Sequence, residues 1–534
     1  MKIKKLWISK YKNVEELKLS FNTDLTTLLV GKNGLGKSNL IEVLTIIFSN
    51  LDIMERVDEA KEFSSKYFDF EIEYICYNDY VKIFIKNGDL SIESKHKSSA
   101  CSAPFDKIYF NDFKNERKYR YLPKYVIGYY SGENNRLKDI NSRHEIIQKN
   151  ALRNWHRGKK KGKIDDLRKL FFTESYHGQL LLLTLVIYRY HENFSGQIDS
   201  LFNEYLGIDY LIDFEIIFNN PDWNYNNIDG VNKSAEYLLA NIADKRQVEY
   251  PFWNLKGKID LLLTTFYNYQ IEVGYEPLIY PNEEASRSYI KEFIEFNRIN
   301  LELFSKAVFE NFKHPIDFFN ALEATEVVGV FNRIGLNVKK HKLDFPIIFE
   351  QLSEGEQQLI TVLGLVLITG KDDCLFLLDE PDTHLNPNWQ RNYIRLLDQF
   401  NLNDDNSHVF VATHSPLLVQ AVEGNYDILL YHLDQNGKIQ IDNDPNIIKN
   451  WRIDQVLASK YFDLKSTRPP ELDDLMIKRL NMIRSGVVNA EDKVTLNNYK
   501  NEIGYLPTGE TIDELESMIY IKKMADNFRN DKNQ

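Results

Sequence analysis

The chain has 534 residues, 43% hydrophobic and 27% charged, which is ordinary for globular protein and leaves room for roughly two to four domains. No apolar run reaches the about 18 residues of a membrane span, and the basic start (Met1 to Ile8) runs into alternating polar residues instead of the apolar core of a signal peptide, so a cytoplasmic protein without membrane contact is expected. A formal charge of −12 opposes indiscriminate nucleic-acid binding, and the three cysteines (Cys76, Cys101, Cys374), in neither CxxC nor Cys/His spacing, read as free thiols.

Residues 2–30 alternate apolar and polar side chains and end in Leu25-Thr26-Thr27-Leu28-Leu29-Val30, which predicts two antiparallel strands and a buried third. A glycine-rich turn and an amphipathic helix follow. Phe70–Tyr74 and Tyr80–Ile85 alternate on either side of Tyr77-Asn78-Asp79, the pattern of a hairpin. A further buried strand is expected over Lys124–Tyr130. From 146 to 330 the pattern turns mainly helical and lacks sustained heptads, so an inserted helical domain is expected rather than a coiled-coil arm. The resulting division is 1–145 for a first α/β lobe with an antiparallel β lobe, 146–330 for the helical insertion, 331–440 for the second α/β lobe, and 441–534 for a helical C-terminal region. The fold class is α/β.

Gly31-Lys32-Asn33-Gly34-Leu35-Gly36-Lys37-Ser38 matches G-x-x-x-x-G-K-[ST] between a strand and a helix, the setting a phosphate cradle requires. Glycines at Gly31, Gly34 and Gly36 let backbone N–H groups turn inward, with Asn33 and Asn39 flanking. Lys37 is placed to bridge β- and γ-phosphates, and Ser38 to ligate Mg²⁺. Cys374-Leu375-Phe376-Leu377-Leu378-Asp379-Glu380 is a buried strand ending in two acids. Asp379 suits Mg²⁺, and Glu380 suits polarisation of an attacking water.

Two more segments accompany these: Leu352-Ser353-Glu354-Gly355-Glu356-Gln357 before the acidic strand, and Thr413-His414-Ser415 after the strand Val409–Ala412. Together the motifs resemble ABC-class ATPases of the RecF, SMC and OLD-like group, in which the hexapeptide corresponds to the signature, Pro381-Asp382-Thr383-His384-Leu385 to the D-loop and His414 to the switch histidine. The matched stretches cover about 1–50 and 350–416. The resemblance implies an ABC-type P-loop head that binds ATP and Mg²⁺, hydrolyses ATP, and forms a homodimer or higher oligomer in which Ser353, Gly355 and Glu356 of one head meet the nucleotide held by the other. Read locally, Ser353 is equally a helix cap with Glu356 completing a capping box. No glutamine follows the strand at 124–130, where Ser131-Gly132-Glu133-Asn134 stands, and Lys12 and Trp7 are the candidates for an adenine contact.

The insert holds Arg153, Arg157, Lys159, Lys160, Lys161 and Lys163 with no acid among them, a run that fits either a nucleic-acid backbone or a solvated loop. The short insert and the tail segments Trp451–Leu457 and Lys465–Arg468 resemble PtuA-type ATPases of Septu and retron-linked anti-phage systems. That resemblance implies a sensor or regulator with a separate HNH nuclease as partner, a RecF-like DNA-repair ATPase being the alternative. A Toprim nuclease would need an Asp-x-Asp pair on a βαβ unit. Asp442-Asn443-Asp444 has no following βα pattern, so the chain is read as lacking nuclease chemistry.

Overall fold

The computed structural model describes the chain except for residues 23–24, 33, 100–102, 133–135, 160–167, 220, 222–251, 254, 270–271, 275–277, 281–288, 292, 298–300, 342, 370–371, 401–405, 423–426, 435–438, 444–450, 463, 465–476, 479–480, 484, 486–489, 504–515, 522 and 525–534. Met1–Asn450 form one compact unit and Trp451–Gln534 a second.

Strands β1 (Lys2–Tyr11) and β2 (Val14–Ser20) make the expected antiparallel hairpin, and the fully buried β3 (Thr26–Gly31) feeds helix α1 (Lys37–Ile53). Strands β4 (Phe70–Cys76), β5 (Asp79–Lys86), β6 (Asp89–His96) and β7 (Asp106–Lys107) then extend the hairpin into a six-stranded antiparallel sheet of order β2-β1-β4-β5-β6-β7. One face of it is apolar because the side chains alternate. Phe70, Ile72, Tyr74, Val81, Ile83 and Ile85 are all buried, each contributing roughly 1.5–3 kcal/mol relative to exposure.

After β8 (Tyr125–Tyr130) come helix α2 (Arg136–His156), β9 (Leu170–Phe172) and helix α3 (Ser175–Tyr188). Strand β10 (Ile208–Asn219) follows, then the short β11 (Glu272–Gly274), β12 (Leu278–Tyr280), β13 (Tyr289–Lys291) and β14 (Phe293–Asn297). Helix α4 (Pro315–Val327), β15 (Phe331–Lys340), β16 (Ile347–Ile348), helix α5 (Glu354–Thr369) and β17 (Cys374–Asp379) lead into helix α6 (Pro387–Phe400), β18 (Ser407–Ala412), β19 (Asp427–Leu433) and β20 (Ile439–Asn443).

The second sheet has seven strands in the order β20-β19-β3-β18-β17-β8-β9, parallel except for the β19–β20 pair. Strands β3, β17 and β18 are buried at every position, the signature of a parallel sheet covered on both faces. One cluster joins both sheets through α1. Leu40, Ile41, Leu44 and Ile47 pack with Ile72 and Ile83 of the antiparallel sheet and with Leu375, Leu377 and Phe410 of the parallel one. The carboxyl ends of β3, β17 and β18 therefore lie side by side at the mouth of a rigid core, where open α/β sheets bind ligands.

The mainly helical region 146–330 also carries strands: β10 runs antiparallel to β15, and β14 and β11 extend the pair into a five-stranded sheet of order β11-β14-β10-β15-β16. The strand wins because Phe214, Ile216 and Phe218 alternate into a core that β15, far along the chain, completes. The region from 441 onward opens inside β20, whose Ile439–Asn443 pairs with β19 instead of starting a helix. In the second unit the described helices include Ile453–Leu457 and Ala490–Ile503, while Lys465–Arg468 lie outside the described residues. Among the described residues no helix is long and apolar enough to cross a membrane.

Candidate functional site

The loop between β3 and α1 is shaped by glycines that no other residue could replace cheaply. Gly31 has φ 146°, and a Cβ there would lie 2.6 Å from the Tyr431 carbonyl of β19. Gly34 and Gly36 have φ of 81° and 88°, and Gly36 caps α1 so that its first N–H groups face the loop. Asn33 lies outside the described residues. The Lys37 ammonium folds back into this cradle, donating to the carbonyls of Gly31 at 2.8 Å and Lys32 at 3.3 Å. Burial pushes its pKa down to about 8, against the opposing pull of Glu380 and Asp379. Asn39 is buried and donates through Nδ2 to Asn13 Oδ1 at 2.5 Å.

Asp379 ends β17 and is buried. Glu380 follows it in a left-handed conformation, φ 52°, with its N–H on the Ala412 carbonyl at 2.8 Å. Strain of this kind in a residue other than glycine persists only where the surroundings over-determine it, and it concentrates at functional sites. His414, just beyond β18, stands between the two charged groups: its Nε2 is 2.8 Å from Lys37 Nζ and 3.2 Å from Glu380 Oε1. The hydrogen bond from His414 and the positive field of Lys37 hold the Glu380 carboxyl below its ordinary range.

These groups line one cavity of about 420 Å³. Gly34, Gly36, Lys37, Ser38 and Asn39 supply one wall, and Glu380 and His414 another. The donor set fits a polyphosphate: a cation, a helix N-terminus and glycine-turned backbone on one side, a carboxylate and an imidazole on the other. Ser38 and Asp379 are hard oxygen donors of the kind Mg²⁺ takes. Among the described residues no group of three or more His, Cys, Asp or Glu could hold a metal ion, so an ion here would draw further ligands from phosphate oxygens and water.

Ser353, Gly355 and Glu356 do not line this cavity. They open α5 with a reciprocal capping box, the Ser353 N–H donating to Glu356 Oε2 at 2.9 Å and the Glu356 N–H to Ser353 Oγ at 3.3 Å. Glu356 also pairs with Lys340, and Glu354 with His384 at 2.7 Å. Gly355 is fixed by crowding, since a Cβ would sit 2.6 Å from the His384 carbonyl.

Two cavity residues escaped the motif reading, Asn13 and Tyr130. Asn13 sits in the β1–β2 turn beside Lys12 (φ 52°) and reaches the Gly34 carbonyl at 3.4 Å. Nothing local in the sequence couples that turn to the glycine loop. Lys12 lines the cavity and pairs with Glu42, whereas Trp7 donates to Glu16 at 3.2 Å and does not line the cavity. Past β8, Ser131 Oγ meets Thr383 Oγ1 at 3.1 Å, and Glu133 and Asn134 lie outside the described residues. So do Lys160, Lys161 and Lys163 of the basic run, and Asp444. Arg153 belongs to the last turn of α2, and Asp442 pairs with His432 at 2.8 Å.

The chain is similar to the Septu protein PtuA of Bacillus thuringiensis, 27% identical over 177 residues, which are 30% of this chain and 43% of that protein; the chain thus spans under half the length of that relative. Among solved structures it is similar to the Smc head domain derived from Pyrococcus furiosus, bound to the C-terminal domain of ScpA (12% identity, 83% of this chain and 96% of that one, TM-score 0.32). It is also similar to the SMC head domain from Thermotoga maritima (15%, 83% and 99%, TM-score 0.30). The profile of the AAA ATPase domain family matches residues 1–419, and the chain belongs to that family.

Proposed function

We propose that the chain binds ATP with Mg²⁺ in the cavity between the glycine loop and the ends of β17 and β18, and hydrolyses it when two such heads close on each other. The observation that carries this reading is the convergence of Lys37, Glu380 and His414 on one cavity from three separate strands. Lys37 and the α1 N-terminus hold the β- and γ-phosphates, and Asn39 braces the turn. Glu380, kept anionic by His414 and Lys37, orients the attacking water and accepts its proton. His414 holds that carboxylate in place. Ser38 and Asp379 would hold Mg²⁺, which when bound neutralises phosphate charge. Ser353, Gly355 and Glu356, outside the cavity of their own chain, serve the nucleotide of a second copy.

The task we infer for this ATPase is sensing and regulation in anti-phage defence in the cytoplasm, through control of a separate HNH nuclease, with no nuclease chemistry of its own. The likeness to the Septu protein PtuA supports it.

Glu380→Gln tests the composite site. It retains Asp379 and the cradle, so it binds ATP, while loss of a water-orienting base slows turnover by about 10²–10⁴-fold. Closed dimers then accumulate in ATP but not in ADP, visible by mass photometry, and Ser353→Arg added to the same chain erases them. Wild-type turnover in Glu380→Gln, or a dimer indifferent to Ser353→Arg, overturns the mechanism. Co-purification of an HNH protein encoded beside this chain tests the regulatory role.

A further inference from the structure

The loops that follow β17 and β18 carry Glu380 and His414, and behind those two side chains the loops are joined by a closed circuit of hydrogen bonds. Thr413 Oγ1 donates to Asp382 Oδ1 at 2.8 Å and accepts from the Ser415 N–H at 2.9 Å. Ser415 Oγ donates to Gln390 Oε1 at 2.8 Å. Gln390, in the first turns of α6, returns the circuit through Nε2, which donates to the carbonyls of Asp382 at 3.1 Å and Leu385 at 3.0 Å. Asp382, Thr413 and Ser415 are all buried. None of the four lines the cavity.

The circuit brackets the reacting side chains. Thr413 and Ser415 are the residues on either side of His414, so anchoring both fixes the backbone from which the imidazole projects. Asp382 lies two residues beyond Glu380, whose left-handed backbone needs support from its surroundings. A second hydrogen bond ties the loops nearer the cavity, from the Glu380 N–H to the Ala412 carbonyl. Burying a carboxylate is costly, and a neutral side chain of similar size would pack there more cheaply. Burial pushes the Asp382 carboxyl up to about 6, against the hydrogen bond it accepts from the Thr413 hydroxyl.

We propose that Asp382 is a positioning residue for hydrolysis: through Thr413 it holds the His414 loop against the Glu380 loop, so that His414 Nε2 keeps its place 3.2 Å from the Glu380 carboxylate. The inference rests on the reading that Glu380 and His414 serve ATP turnover. It assigns a role to an acid that does not line the cavity.

The test compares Thr413→Val, which is isosteric but has no hydroxyl, with Thr413→Ser, which keeps it, and Asp382→Leu with Asp382→Asn, which keeps an acceptor. Steady-state ATP hydrolysis gives kcat and KM for each, and thermal melting confirms that each is folded. If the loops are set by this bond, Thr413→Val loses about 10²-fold in kcat, the scale of a misplacement near 1 Å, with KM changed little. Thr413→Ser and Asp382→Asn then recover kcat to within about threefold of wild type. A purely structural role predicts the opposite split, with melting lowered and kcat per folded molecule unchanged, and that result overturns the proposal. So does failure of Thr413→Ser to recover kcat. A wild-type chain that binds ATP without hydrolysing it overturns the underlying hydrolytic reading, whereas active wild type matched by Thr413→Val overturns this inference alone.

Discussion

Lys37 makes ATP binding a proton-linked event with a definite sign. In the nucleotide-free protein its ammonium is mostly surrounded by protein, and burial brings the pKa down from 10.5 to about 8. A polyphosphate in the cradle sets several negative charges beside that ammonium and pushes its pKa back up. Above pH 8 the free protein has lost a proton that the complex retains, so binding takes one up and the association constant falls by up to tenfold per pH unit. If the bound state regains the ordinary 10.5, the loss between pH 8 and 10.5 is on the order of 10²-fold. At pH 7 the ammonium is charged in both states and the linkage vanishes. Stability of the free protein has its own sign: a folded pKa below the unfolded one favours folding at high pH, and this contribution is lost as pH falls through 8. Calorimetric titration of ATP at pH 7, 8.5 and 9.5, each in two buffers of different ionisation enthalpy, counts the protons directly. Lys37→Met, which binds ATP far more weakly, serves as the control. Binding without proton uptake at pH 9.5, or uptake that persists in Lys37→Met, refutes the reasoning.

Gly31→Ala forces a side chain into a backbone conformation that disfavours it and against the Tyr431 carbonyl, so it costs about 1–3 kcal/mol in denaturant unfolding and weakens ATP binding with it. The fully buried Glu323 depends on Arg168, whose Nε lies 2.5 Å from Glu323 Oε1. Arg168→Ala leaves that carboxyl uncompensated and lowers stability by about 3–5 kcal/mol, whereas the double change Arg168→Met with Glu323→Leu recovers most of it. The purified chain is expected to leave DNA and RNA uncut with Mg²⁺ or Mn²⁺; cleavage that disappears on replacing Asp442 and Asp444 would revive a nuclease reading.

The parts of the site written contiguously were legible in the sequence, because a strand, a glycine turn and a helix start within eight residues carry their geometry with them. Gly31, Gly34, Gly36, Lys37 and Ser38 are of this kind, as are Asp379 and Glu380 on their apolar strand. Asn13 and Tyr130 were not, since the parallel sheet and the β1–β2 hairpin bring them to the cavity from elsewhere. The same holds for the bond from Thr413 to Asp382: both residues stand inside recognisable segments, yet only the adjacency of β17 and β18 makes them partners. In the insert, β10 does not stand out from its mainly helical surroundings because its alternation is interrupted at Leu211 and Ile217, where the ladder with β15 shifts register.

Ser353 shows why a local and a functional reading of one motif need not compete. A helix start leaves its first N–H groups without intrahelical partners. The capping box uses two backbone donors, Ser353 N–H and Glu356 N–H, and ties both to side chains of this chain. The intervening donors, on Glu354 and Gly355, are not among those the box consumes. Gly355 has no side chain to cover them, because the His384 carbonyl already occupies the space a Cβ would need. The cap therefore fixes the direction of the helix start, and the partial positive charge there favours a phosphate. Within one chain that anion cannot be the one gripped by Lys37, because neither Ser353 nor Gly355 reaches the cavity. A capped helix start whose direction is fixed is what the proposed contact across a head dimer requires, and under that proposal ATP would join the two heads as well as serve as substrate.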